Sequence, residues 1–287
     1  MSYRKKHIKT KIYKLKKPKK SIIKKPIFWI IFFLFVAIIF IFYFFVFSSI
    51  FQVKNIEISG NEKVQSNDIQ DFISNNISQK IISIKIWSLE SKSIFLINYK
   101  KLNKEILDNF PAIESIKIGK KLPQTITVEI TDRITFGAFC DYFASADANG
   151  GLPPDKEECF LIDQNGIIFE SLPQVSENMI IVRNPLDIKQ VLVGENVIAE
   201  NIIGIISKID NNLRNNLQIN IKEAAVSSPL RLNITTNENW EIYFDLDSDI
   251  DMQITKMNLL LSGEILTDAR KNLQYIDLRF KDKAYYK

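Results

Sequence analysis

Histidine is nearly missing from this 287-residue chain: its single copy, His7, lies close to the N-terminus, ahead of a long apolar run. The rest of the chain therefore cannot assemble a Ser-His-Asp or Cys-His constellation, or a metal site held by histidine. Glycine is sparse, with nine residues scattered along the chain, and no glycine-rich phosphate loop is visible. Cysteine occurs only at 140 and 159, and two thiolates do not complete a zinc site without further ligands. These absences remove the commonest routes to catalysis and metal binding, and neither a cofactor nor a metal is expected.

Acidic residues are absent from one place in particular. The first 26 residues hold twelve of the 38 Lys and Arg and none of the 33 Asp and Glu, so the remainder carries 26 basic against 33 acidic residues, a net charge of −7. A segment so charged cannot build a core and reads as a solvated tail. The mildly acidic remainder does not offer the basic surface of a nucleic-acid-binding protein. The tail either touches anionic lipid headgroups or only sets topology.

Ile27 to Phe47 runs 21 residues without a charge, long enough to cross a hydrocarbon layer of roughly 30 Å. Trp29 and Tyr43 lie toward its opposite ends, where amphipathic rings prefer the membrane interface. A cleaved signal peptide would have a shorter apolar region followed by small residues, whereas Phe-Ser-Ser-Ile-Phe follows here. The expectation is an uncleaved transmembrane helix over 27–47 with the tail of residues 1–26 cytoplasmic, by the positive-inside rule. The body is then outside, where Cys140 and Cys159 form a candidate disulfide; two half-buried thiols are the alternative.

In the body, Phe51 to Ile58 alternates like a half-buried strand. Ile69, Phe72, Ile73 and Ile77 describe one helical face behind Ser66 as N-cap. The stretch from Ser78 to Leu96 is apolar but irregular. Lys101 to Asn109 predicts a short helix stopped by Pro111. Ile113 to Ile118 and Gln124 to Ile130 predict a hairpin. Beyond Ile134 the chain is strand-rich: short runs near 136–139, 159–162, 167–169, 179–182, 218–226, 230–235 and 241–246 read as strands. Helices are predicted over about 196–215 and 250–262. Asn165-Gly166 is a tight-turn signal. The chain closes on Tyr275 to Phe280, a turn, and Ala284 to Tyr286. The fold class is α+β.

The pattern Phe51-x-Val53-x-x-Ile56-x-Ile58-x-Gly60-Asn61, Val64-x-Ser66-x-x-Ile69, Phe110-Pro111-x-Ile113-x-x-Ile116-x-Ile118 and Leu122-Pro123-x-Thr125-Ile126-x-Val128-x-Ile130-x-Asp132-Arg133 resembles the POTRA domain of the FtsQ/DivIB family of bacterial cell-division proteins. Cys159-Phe160-Leu161-Ile162-Asp163-x-x-Gly166-Ile167-Ile168-Phe169 and Tyr275-Ile276-Asp277-Leu278-Arg279-Phe280 are similar to that family's second, β-rich domain. The resemblance implies a POTRA domain over 51–133 and an FtsQ-type β domain over 134–287. It implies a single-pass protein of the cytoplasmic membrane at the division septum that is not an enzyme. Its external β domain would bind the division proteins FtsB and FtsL through the terminal strand, with Tyr275, Arg279 and Phe280 as contacts. The competing function is a POTRA component of a secretion or outer-membrane assembly system. One departure is the Lys281-Asp282-Lys283 turn, where the family often has glycine.

Two acidic features have a simpler reading than chemistry. Asp245-x-Asp247-x-Asp249-x-Asp251 imitates a calcium loop, but both registers lack the required glycine and final glutamate, so it reads as the start of the following helix. Asp163 and Asp277 read as turn or pairing residues rather than an acid/base pair.

Overall fold

A computed structural model describes residues 25–84, 87–143, 156–185 and 191–287. The basic tail, apart from Lys25 and Pro26, and most of the loop between the two cysteines lie outside the described residues.

Helix α1, Pro26–Phe47, opens with proline in its first turn and keeps its apolar side chains exposed until Val46, which is buried. Proline costs nothing there because the first N–H groups have no intrahelical partner. At 1.5 Å per residue the 22 residues span about 33 Å, so α1 is long and apolar enough to cross a membrane.

The first folded unit carries β1 (Asn55–Ser59), α2 (Ser66–Asn76), β2 (Gln79–Ile84), β3 (Trp87–Ser91), α3 (Tyr99–Asn109), β4 (Ile113–Lys121) and β5 (Thr125–Asp132). Strand β5 is central, with β1 parallel on one side and β4 antiparallel on the other. Alternation decides the inner face: Ile126, Val128 and Ile130 of β5 point into a core with Ile69 and Ile73 of α2 and Leu102 and Ile106 of α3. This is the POTRA arrangement of strands and helices.

Three local expectations are corrected. Phe51 to Lys54 do not join β1, because Ile94 N–H bonds the Phe51 carbonyl and Val53 N–H bonds the Lys92 carbonyl, diverting that backbone. The irregular stretch after Ser78 forms an antiparallel ribbon of β2 and β3. Ser66 does not cap α2: Gln65 precedes the helix without a side-chain cap, and the Ser66 hydroxyl accepts from Asn61 Nδ2 at 2.9 Å.

The second unit is a nine-stranded sheet. In chain order it holds β6 (Thr135–Phe143), β7 (Lys156–Asp163), β8 (Ile168–Leu172), β9 (Ile181–Arg183), α4 (Glu200–Asn212), β10 (Ile221–Ser228), β11 (Arg231–Thr236), β12 (Glu241–Asp245), α5 (Ile250–Gly263), β13 (Tyr275–Asp277) and β14 (Tyr285–Tyr286). The spatial order is β14-β13-β12-β11-β10-β9-β6-β7-β8. Ile203, Ile206 and Ile209 of α4 and Ile254, Met257 and Leu261 of α5 share one core with Trp240, Phe244 and Phe139 from the sheet side. Helix α4 starts at Glu200 rather than 196, because Asn196 bridges Ile167 and Val197 N–H bonds the Gly166 carbonyl. The strand expected over 275–280 ends at Asp277.

Arg133 joins the two units. Its Nε donates to the Pro111 carbonyl at 2.8 Å, and its Nη1 donates to Asp163 at the end of β7 at 2.5 Å. Asp163 also accepts the N–H groups of Asn165 and Ile167, so it organises the turn into β8.

Candidate functional site

A sheet whose two outer strands differ in cover directs attention to the less covered one. At one edge, the start of β8 is bonded on its outer side, where Gly194 N–H reaches the Ile168 carbonyl and Ile168 N–H the Glu195 carbonyl. At the other, β14 pairs with β13 through Ile276 opposite Tyr286 and Asp277 opposite Tyr285. Lys287 N–H extends this ladder to the Tyr275 carbonyl at 3.2 Å. No strand among the described residues lies beyond β14. An edge of this kind presents backbone donors and acceptors to an incoming strand.

The sequence-derived contact residues lie on β13 or just after it, one strand inside this edge, and in different settings. Tyr275 stacks on Tyr243 with centroids 5.6 Å apart. Arg279 turns back on Asp277, donating from Nε to Oδ1 at 2.8 Å and from Nη2 to Oδ2 at 2.6 Å. Phe280 lies outside any strand, 48% exposed, edge-on to the equally exposed Tyr285 at 4.9 Å. The three therefore cluster within one corner of the sheet, with Phe280 the most available.

Helix α5 closes the corner. Lys256 donates from Nζ to the Leu278 carbonyl at 2.8 Å and to the Phe280 carbonyl at 2.6 Å. Burial pulls the Lys256 pKa down, while Asp282 and Asp277 oppose that fall. Between α5 and residues 278–281 lies a groove of about 210 Å³ lined in part by Met252, Lys256, Phe280 and Arg279. Its lining mixes the apolar Met252, Leu278 and Phe280 with the cationic Lys256, Arg279 and Lys281 and the anionic Asp249, a composition that suits an apolar side chain with a polar neighbour.

Electrostatics fix the corner's geometry. Burial alone would raise the Asp277 pKa, but the Arg279 guanidinium and backbone N–H outweigh it and hold the carboxyl below its ordinary value. Tyr243, between the Arg231 and Arg279 guanidiniums, is pushed up to about 12 by burial and by its hydrogen bond to Glu241.

Sequence reasoning missed Lys256, Met252 and Tyr285. Lys256 carried a signal, as a lysine on a helix rich in apolar residues, but the carbonyls it would meet could not be read from one chain segment.

The other candidates resolve into structural roles. Cys140 and Cys159 face each other across β6 and β7 and are joined as a disulfide. Glu157 beside them receives Arg183 Nη2 at 2.6 Å. Asp249 caps α5 by accepting from the N–H groups of Asp251 and Met252, and Asp245 accepts from Asp247 N–H and Ser248 Oγ. These are the contacts of a helix entry, as the failed calcium registers indicated.

Comparison with known proteins matches residues 154–279 to the C-terminal region of the cell division protein FtsQ/DivIB. Residues 74–133 match the FtsQ-type POTRA domain. The chain is also 25% identical over 243 residues to the cell division protein DivIB of Clostridium acetobutylicum, with 82% of each chain covered.

Proposed function

The chain belongs to the FtsQ/DivIB family of cell-division proteins, and on that premise we propose that it is a membrane-anchored, non-enzymatic scaffold that captures a partner strand at β14. Helix α1 tethers the body to the cytoplasmic membrane at the division septum, and the basic excess of residues 1–26 keeps the tail on the cytoplasmic side. The partner is the membrane-distal part of an FtsB-like single-span protein, which comes with an FtsL-like one.

The observation that carries this reading is an open sheet edge beside an exposed aromatic pair, Phe280 and Tyr285, and an adjoining groove. A partner strand added to β14 gains main-chain hydrogen bonds, and its alternate side chains supply specificity. An apolar side chain enters the groove against Met252 and Phe280, while a partner carboxylate meets Lys256 or shares Arg279.

Depletion in the source organism tests the function. The expected result is filamentous or unseparated cells, restored by the wild-type chain and poorly by a Phe280→Ala, Tyr285→Ala variant that still reaches the membrane. Normal division after complete depletion would overturn the reading. Defective secretion or outer-membrane assembly with normal septa would favour the POTRA transport function instead.

A further inference from the structure

The end of α1 does not hang free in water. Ser91 Oγ and Gln52 Nε2 both donate to the Val46 carbonyl, at 2.7 and 2.8 Å, and Ser93 Oγ donates to the Phe45 carbonyl at 2.9 Å. The last carbonyls of a helix have no intrahelical partner and normally turn to water. Here side chains of the folded body take that place, an arrangement that lets a helix end lie at dehydrated depth.

The same contact fixes what lies beside it. Phe95 packs its ring 5.4 Å from Phe45 and 5.3 Å from Phe51. Since α1 is about 33 Å long and the hydrocarbon about 30 Å thick, a bilayer crossed by α1 has its boundary near Phe45, and Phe95 shares that depth. Phe95 is nevertheless 43% exposed and Ile50 50% exposed. The β4–β5 turn descends at this end as well, because Lys54 N–H bonds the Gln124 carbonyl at 3.0 Å; this places the 59%-exposed Leu122 here. Lys120 rests over the rings of Tyr99 and Phe95, whereas the exposed Lys92 donates to the Ser74 carbonyl at 3.4 Å.

We propose that Ile50, Phe95 and Leu122 form a lipid-contacting collar that sits in the headgroup layer around the end of α1, with Lys120 directed to lipid phosphates. Apolar and aromatic groups flanked by lysines are the composition that partitions to this layer. Three points of attachment around one helix hold the POTRA unit at a fixed attitude. Strand β1 leads away from the collar to Lys63, whose Nζ bonds the Arg133 carbonyl and lies over the Phe169 ring. The nine-stranded sheet is thus carried on the far side of the POTRA unit, away from the bilayer. The inference rests on α1 crossing a membrane and is independent of which partner binds β14.

Spin labels in the full-length protein, placed in nanodiscs of phosphatidylglycerol and phosphatidylcholine, test it through accessibility to oxygen and to a water-soluble nickel chelate. Labels go singly at Phe95→Cys, Ile50→Cys and Leu122→Cys, with Val36→Cys inside α1 and Leu230→Cys on the nine-stranded sheet as references. The expected oxygen-to-nickel ratio at 50, 95 and 122 is several-fold above that at 230 and below that at 36. Ratios at all three collar positions equal to that at 230, with 36 deep in the hydrocarbon, would overturn the collar and leave the span intact. A water-accessible label at 36 would overturn both. Because Phe95→Cys removes a packed ring, the exposed positions 50 and 122 decide the matter if that variant misfolds.

Discussion

Arg279 grips Asp277, two residues away, through a two-pronged ion pair. The guanidinium that the sequence offered to a partner is already committed within the chain, so any carboxylate brought to it has to share it. Arg279 is first a positioning residue, which sets the turn that delivers Phe280 to the edge.

Removing that grip is expected to cost about 2 kcal/mol, because Asp277 is left buried with its charge-assisted bonds unmade. Arg279→Ala should lower the unfolding midpoint of the purified full-length protein in detergent, followed by circular dichroism. Arg279→Lys should recover part of the loss, since a lysine keeps the charge without the planar fork. Equal midpoints for wild type and Arg279→Ala would contradict this.

The same pair gives an acid dependence. The folded carboxyl of Asp277 has a lowered pKa, so it binds a proton more weakly than the carboxyl of the unfolded chain, whose value is about 3.9. Its stabilisation is therefore complete above about pH 4 and fades as pH falls below that through the folded pKa. Unfolding midpoints measured from pH 6 down to pH 3 should fall less steeply for Asp277→Asn than for wild type. Parallel curves would contradict the assignment.

Two glycines are expected to respond in opposite directions. Gly166 has φ of +77° and a Cβ there would lie 1.8 Å from the Ile198 carbonyl oxygen, so Gly166→Ala should cost about 2 kcal/mol or more. Beyond the backbone of its own helix turn, Gly204 in α4 has no atom within 4 Å of such a Cβ, so Gly204→Ala should add up to about 1 kcal/mol through helix propensity. Denaturant midpoints of the two variants check both signs.

Cys140 and Cys159 are 19 residues apart in sequence. Replacing both with serine is expected to cost about 3 kcal/mol by loosening the constraint on the unfolded chain. An unfolding midpoint unchanged by the double substitution or by reductant would show that the link contributes nothing.

What could be read from sequence follows from how each segment is buried. Ile126, Val128 and Ile130 alternate because β5 has one core face, and Ile206 and Ile209 announce the buried side of α4. The ribbon after Ser78 was not legible, since its apolar residues follow no single period. The shortened terminal strand was not legible either. Lys256 binds the Leu278 and Phe280 carbonyls, a contact from a distant helix that no local pattern over 275–280 announces. For the same reason the lysine that shapes this corner went unseen.

Photo-crosslinking at Tyr285 in dividing cells tests the central claim most directly. With p-benzoylphenylalanine at that position, the account expects an adduct with a small single-span division protein of the FtsB type, lost when Phe280→Ala is combined with it. If that partner still co-purifies with the chain from membranes yet gives no adduct at Tyr285, the β14 edge is not where it binds.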